Sequence, residues 1–180
     1  MKFAAAVSVA CLLVGFGGSA YAQPAMSHGV TERVSNAMWD FQQKNYQAAF
    51  TQFTAIAAET DNANAETMLG ISYQYGMGAP KDDAQAAHWY GLAADQGEAE
   101  AQVRLGLLYF NGKGVTKNKV EAYRLLTLGI DRVNPEPRAF RDNAQKVLDD
   151  VSGELSLEQL NKANVLARQT RYRTASGPQS

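Results

Sequence analysis

Displaced by 36 residues along itself, the chain brings Ala65, Leu69, Gly70, Tyr73, Gly76 and Gly78 onto Ala101, Leu105, Gly106, Tyr109, Gly112 and Gly114. Lys81, Ala86, Leu92, Asp95 and Glu100 likewise meet Lys117, Ala122, Leu128, Asp131 and Glu136, so 11 of 36 positions are identical in successive blocks. A fixed period of this length constrains the fold strongly. It signals stacked supersecondary units, each unable to bury its apolar face without a neighbour. Ala65, Leu69 and Tyr73, and again Ala101, Leu105 and Tyr109, recur every fourth residue and mark one face of a helix A. Gly70 and Gly106 open a gap in that face, where a neighbouring helix comes close at a helix-propensity cost of about 1 kcal/mol relative to alanine. The Gly-x-Gly pairs Gly76/Gly78 and Gly112/Gly114 end helix A and supply positive-φ positions for a structural turn.

A helix B follows in each unit, with Asp82 and Asn118 as N-caps. Its apolar face carries Ala86, Trp89, Tyr90 and Ala93 in the first unit, and Ala122, Leu125, Leu126 and Leu128 in the second. The units run over 65–100 and 101–136. A degenerate leading helix pair over 36–64 lacks the Gly-x-Gly turn, as suits a terminal unit with water on one side. Two helices over 137–170 cap the other end, the second opened by a capping box from Ser156 to Gln159. The tail 171–180 is expected to be disordered.

Residues 1–22 read as an address. Lys2 forms a positive n-region, Phe3 to Phe16 an apolar h-region, and Ala20-Tyr21-Ala22 a small-x-small cleavage site. Cleavage after Ala22 leaves 180 − 22 = 158 residues, no cysteine because Cys11 is removed, and no transmembrane segment. Residues 23–35 read as a flexible leader. The expected location is the periplasm or the exterior, in a domain held by its apolar core alone.

The residues Ala65-x3-Leu69-Gly70-x2-Tyr73-x2-Gly76-x-Gly78, followed by Ala86-x2-Trp89-Tyr90-x2-Ala93-Ala94-x2-Gly97, resemble a Sel1-like repeat, and the second copy matches through Gly114-Val115. The resemblance implies an all-α fold, an α/α solenoid of tetratricopeptide-like helix pairs forming a short superhelix with terminal capping helices. It also implies the usual business of such arrays, holding a protein or peptide partner in the concave groove of stacked A helices. The positions it points to are Thr67, Met68, Ile71, Gln74 and Tyr75, then Val103, Arg104, Leu107, Phe110 and Asn111. Tyr75 and Phe110 are large and rigid, Met68 is adaptable, and Arg104 can grip a carboxylate in a fork. Several of these positions suit contacts between adjacent units equally well.

Chemistry is hard to build from this chain. The only histidines, His28 and His88, cannot form a zinc cluster, so no metal and no cofactor is expected. No Gly-x-Ser-x-Gly, Ser-x-x-Lys or Cys/His pairing supports a nucleophile. The adjacent carboxylates Asp82-Asp83 and Asp149-Asp150 do not face each other on a helix and read as caps and solvated charge. A formal charge of −1 and a pI near 6.1 offer no positive field for nucleic acid. The expectation is therefore a non-catalytic interaction module in envelope assembly or signalling. The alternatives are a β-lactam-binding or β-lactam-hydrolysing enzyme, a role associated with a cysteine-rich branch of the same repeat family whose cysteine pairs are missing here, and a peptidoglycan-binding protein.

Overall fold

The computed structural model describes residues 26–134 and 138–176. Among them are eight helices and no strand: α1 (Met26–Gln42), α2 (Tyr46–Glu59), α3 (Ala63–Tyr75), α4 (Asp83–Asp95), α5 (Ala99–Asn111), α6 (Lys119–Gly129), α7 (Arg138–Glu154) and α8 (Leu157–Ser176). Helices α1/α2, α3/α4 and α5/α6 form successive antiparallel A/B pairs, and each B helix also packs on the next A helix. Helix α3 also touches α5, and α5 touches α7.

Helix boundaries follow from local chemistry. Asp82 Oδ1 accepts from the Ala84 and Gln85 amides at 2.9 and 3.0 Å, and Asn118 Oδ1 accepts from Glu121 N at 3.1 Å, satisfying donors that a helix start leaves open. Asn62 caps α3 and Glu98 caps α5 in the same manner. At the opposite ends Gly76 and Gly112 adopt left-handed backbone, φ 71° and 69°. Gly78 and Gly114 are constrained twice, by positive φ (84° and 69°) and by proximity: a Cβ would lie 2.2 Å from Tyr46 O or 2.0 Å from Asp83 O. Each A-to-B turn thus rests directly on the first turn of the preceding unit's B helix. The leading pair makes its turn without glycine, placing Lys44 at φ 65°.

Three apolar clusters hold the array, and they straddle the junctions. Ala37, Ala49, Phe53 and Ile56 meet Ala65 and Leu69; Tyr90 and Ala93 meet Ala101, Leu105 and Leu125; Val103 and Leu126 meet Ala144, Val147 and Val151. A Cβ on Gly70 would lie 2.4 Å from the ring of the fully buried Tyr90, so that glycine is what lets α4 reach its contact distance. Gly106 does the same against Leu126 less tightly, at 3.0 Å.

The ends depart from the sequence expectation. The leader read as flexible over 23–35 is helical from Met26, because Val30 and Val34 pack into the first cluster and Arg33 forms a fork with Glu59 on α2. The tail read as disordered over 171–180 is helical to Ser176, with Arg171 donating to Thr127 O at 2.7 Å. The units begin two residues earlier than 65 and 101, since α3 and α5 start at Ala63 and Ala99. Helices α7 and α8 each pack chiefly on α6, not on each other, so the cap is not another A/B pair. Its capping box is formed: Gln159 Oε1 accepts from Ser156 N, and Ser156 Oγ accepts from Gln159 N. The expected signal sequence at 1–22, with Cys11, lies outside the described residues, as do 23–25 of the leader and 177–180 of the tail.

Candidate functional site

The ten inner-face positions separate into three groups according to burial. Thr67, Met68 and Val103, at 4%, 9% and 0% exposed, belong to the interior and cannot touch a partner. The reason is angular: these side chains leave α3 and α5 toward the adjoining units, where Met68 joins the first cluster, Val103 the last, and the Thr67 hydroxyl donates to Ala63 O. Ile71, Leu107 and Phe110 are half-buried against the clusters and present only an edge. Gln74, Tyr75, Arg104 and Asn111 complete the set. Tyr75, 56% exposed, is the large apolar side chain that stands most clearly into solvent on α3. Asn111 is exposed and donates from Nδ2 to Leu107 O at 2.8 Å.

Arg104 is the electrostatic centre of this face. Its Nε and Nη2 donate to Glu100 Oε1 at 2.8 and 2.6 Å, and its guanidinium lies 4.7 Å from the Phe140 ring centroid on α7. Burial works to lower its pKa, but Tyr90, Glu100 and Tyr75 together outweigh that and leave it above the ordinary arginine value. Burial pushes the neighbouring Tyr90 hydroxyl well above the usual phenol range, so it stays protonated and donates to Gln74 Oε1 at 2.8 Å. The free carboxylate fork expected of Arg104 is therefore engaged inside the molecule, by a carboxylate one helical turn away and an aromatic ring from the cap. Gln74 is likewise engaged. What remains open is a strip running from Tyr75 to Asn111, with the edges of Ile71, Leu107 and Phe110, the last under the Lys117 ammonium at 5.4 Å.

The i−4 spacing of Glu100 to Arg104 is visible in sequence. Phe140 carries no such signal, since it reaches the site only because α7 folds against α5. Among the described residues, no three His, Cys, Asp or Glu side chains are grouped to hold a metal ion, and no helix is long and apolar enough to cross a membrane.

A row of A/B helix pairs, two of them turning through Gly-x-Gly, is the architecture of a tetratricopeptide-like repeat protein. The Sel1 repeat model matches twice, at residues 63–98 and 99–133, so the chain carries two Sel1 repeats. It is similar over 84% of its length to c5321, a protective antigen present in uropathogenic Escherichia coli strains displaying an SLR fold, at 27% identity and TM-score 0.69. It is also similar over 56% of its length to a Sel1 repeat protein from Oxalobacter formigenes, at 33% identity and TM-score 0.52. The chain spans only 33% and 39% of those two longer chains. No curated protein matches it.

Proposed function

We propose that this chain is an exported, periplasmic adaptor without catalytic activity, which holds a protein or peptide partner along the inner A-helix face in envelope assembly or signalling. The repeat fold itself is that of a protein interaction module. The observation that carries the reading is the solvent-facing strip anchored by Tyr75: an exposed aromatic side chain beside half-buried apolar edges and a rigidly braced Arg104, which is the mixture that favours partner binding. Export rests on the n-region, h-region and Ala20-Tyr21-Ala22 of the sequence.

The test is in-cell crosslinking of the full-length chain carrying a C-terminal tag, with mass spectrometry of captured proteins and fractionation of the cells. The comparison is a Tyr75→Ala/Asn111→Ala variant, which alters the open strip and leaves the core intact. Capture of a discrete envelope protein by the wild type, lost from the folded variant, supports the proposal. Unchanged capture removes the inner face from consideration, and a cytoplasmic fraction retaining the uncleaved chain removes export.

A further inference from the structure

The leading pair α1/α2 falls outside the 36-residue period, yet its hydrogen bonds give it the register of a repeat unit. Helix α1 closes with Asn45 N donating to Asp40 O at 2.9 Å and with Lys44 at φ 65°. Helix α3 closes with Met77 N donating to Ser72 O at 2.8 Å and Gly76 at φ 71°, and α5 with Lys113 N donating to Leu108 O at 3.1 Å and Gly112 at φ 69°. The same helix stop, one left-handed residue followed by the same backward bond, aligns Asp40 with Ser72 and Leu108. Packing agrees with this alignment. Met38 falls at the position of Gly70 and Gly106, which face Tyr90 and Leu126 of their own B helices, and it shares an apolar cluster with the buried Phe53 of α2. The period misses this unit because its turn is shorter: Asn45 follows Lys44 directly, whereas residues 77–81 separate Gly76 from the cap Asp82.

The alignment puts Trp39 in line with Ile71 and Leu107, and Gln43 in line with Tyr75 and Asn111. Trp39 is 60% exposed and lies in none of the three apolar clusters, so its ring does not serve the core. Two rows thus cross the three A helices: an apolar one of Trp39, Ile71 and Leu107, and a hydrogen-bonding one of Gln43, Tyr75 and Asn111. None of the six side chains carries a charge.

We infer that Trp39 is the principal anchor of the partner-binding face, and that this face takes an uncharged polypeptide segment in the polyproline II conformation with an apolar side chain at every third residue. The proposal rests on the reading of the A-helix face as the binding face and extends it onto α1. Charge complementarity gives the first property, because a charged side chain set on these rows would lose water without gaining a partner. Spacing gives the second. Packed helices lie about 8–10 Å apart, and polyproline II advances about 9 Å over the three residues that return a side chain to the same face. The same-face repeat of a β-strand, about 7 Å, falls short of that interval. Polyproline II also leaves its carbonyls without internal partners, which suits the N–H and O–H groups of Trp39, Gln43 and Tyr75. A helical segment uses its carbonyls internally and would leave those donors idle.

The experiment is calorimetric titration of the protein, as recovered from the cells that make it, with three blocked nonapeptides built on the repeats Leu-Pro-Pro, Leu-Gly-Gly and Glu-Pro-Pro. The expected result is saturable binding of the Leu-Pro-Pro peptide, affinity about tenfold weaker for the flexible Leu-Gly-Gly peptide, which must be ordered on binding, and none for the Glu-Pro-Pro peptide. Trp39→Ala and Tyr75→Ala, with folding checked by circular dichroism, should each weaken binding by about tenfold or more. Loss with Tyr75→Ala but not with Trp39→Ala refutes the extension onto α1 and leaves the A-helix reading standing. Unchanged binding to both variants refutes both. Equal or tighter binding of the Leu-Gly-Gly peptide refutes the polyproline conformation, and equal binding of the Glu-Pro-Pro peptide refutes the uncharged segment. No binding of any peptide refutes the proposed occupant, while in-cell capture by the Tyr75→Ala/Asn111→Ala variant judges the face separately.

Discussion

Glycine-to-alanine substitution at three helical positions tests whether close approach, and not helix propensity, governs the repeat. Propensity alone favours alanine by about 1 kcal/mol at each. At Gly91 the new methyl meets open space, so the full gain of about 1 kcal/mol is expected. At Gly70 it would lie 2.4 Å from two ring carbons of Tyr90, which is 0% exposed and tied through its hydroxyl to Gln74. The ring cannot swing aside, and overpacking of this kind costs about 1–3 kcal/mol, giving a net loss of up to roughly 2 kcal/mol after the propensity gain. Gly106 is intermediate. Its nearest neighbour is Leu126 Cγ at 3.0 Å, with Ala122 O at 3.3 Å, so a change within about 1 kcal/mol of zero is expected. Urea unfolding followed by circular dichroism gives the midpoints, with unchanged slopes showing that the unfolded states are comparable. Gly91→Ala should move the midpoint up and Gly70→Ala down. If both move the same way, or if Gly106→Ala costs more than Gly70→Ala, the assignment of these glycines to inter-helix contact is wrong.

Three further outcomes are expected. Burial, reinforced by Asp61 and opposed by the Gln96 amide, raises the Glu66 carboxyl above its ordinary value of 4.5, so ionisation works against folding. The stability of the protonated form is present at low pH and is lost as pH rises through the raised value. Glu66→Gln, which supplies the side chain found at the equivalent Gln102, should match the wild type near pH 4 and exceed it by about pH 8 in urea midpoints. Asp82→Ala should cost about 1 kcal/mol through two orphaned amides, read by the same unfolding assay, with Asp82→Asn restoring most of it. Met68→Ala should cost about 2–5 kcal/mol as a core truncation, whereas Tyr75→Ala should stay within about 0.5 kcal/mol of wild type, which calorimetry distinguishes directly.

The repeat, its turns and its B-helix caps are legible in the sequence because they rest on local chemistry repeated at a constant interval. Gly76 and Gly112 need positive φ, Asp82 and Asn118 cap within three residues, and Ser156 and Gln159 cap each other; all of these partners are near in sequence. Periodicity also announces that Gly70 and Gly106 mark close approach. The ends were less legible, since helicity at 26–35 and beyond 170 depends on distant partners, Glu59 for Arg33 and Thr127 for Arg171. The site was least legible. A helical wheel assigns Thr67, Met68 and Val103 to a face of α3 or α5, but the placement of the neighbouring units makes that face interior. Arg104 reads as a free cation until α7 brings Phe140 over it and the Tyr90 hydroxyl is packed beside it. Sequence by itself determined what each helix is and where it turns, because those choices are settled by interactions within a few residues. Only the tertiary structure decided which side chains remain open to a partner, because exposure is a property of neighbours far apart in the chain.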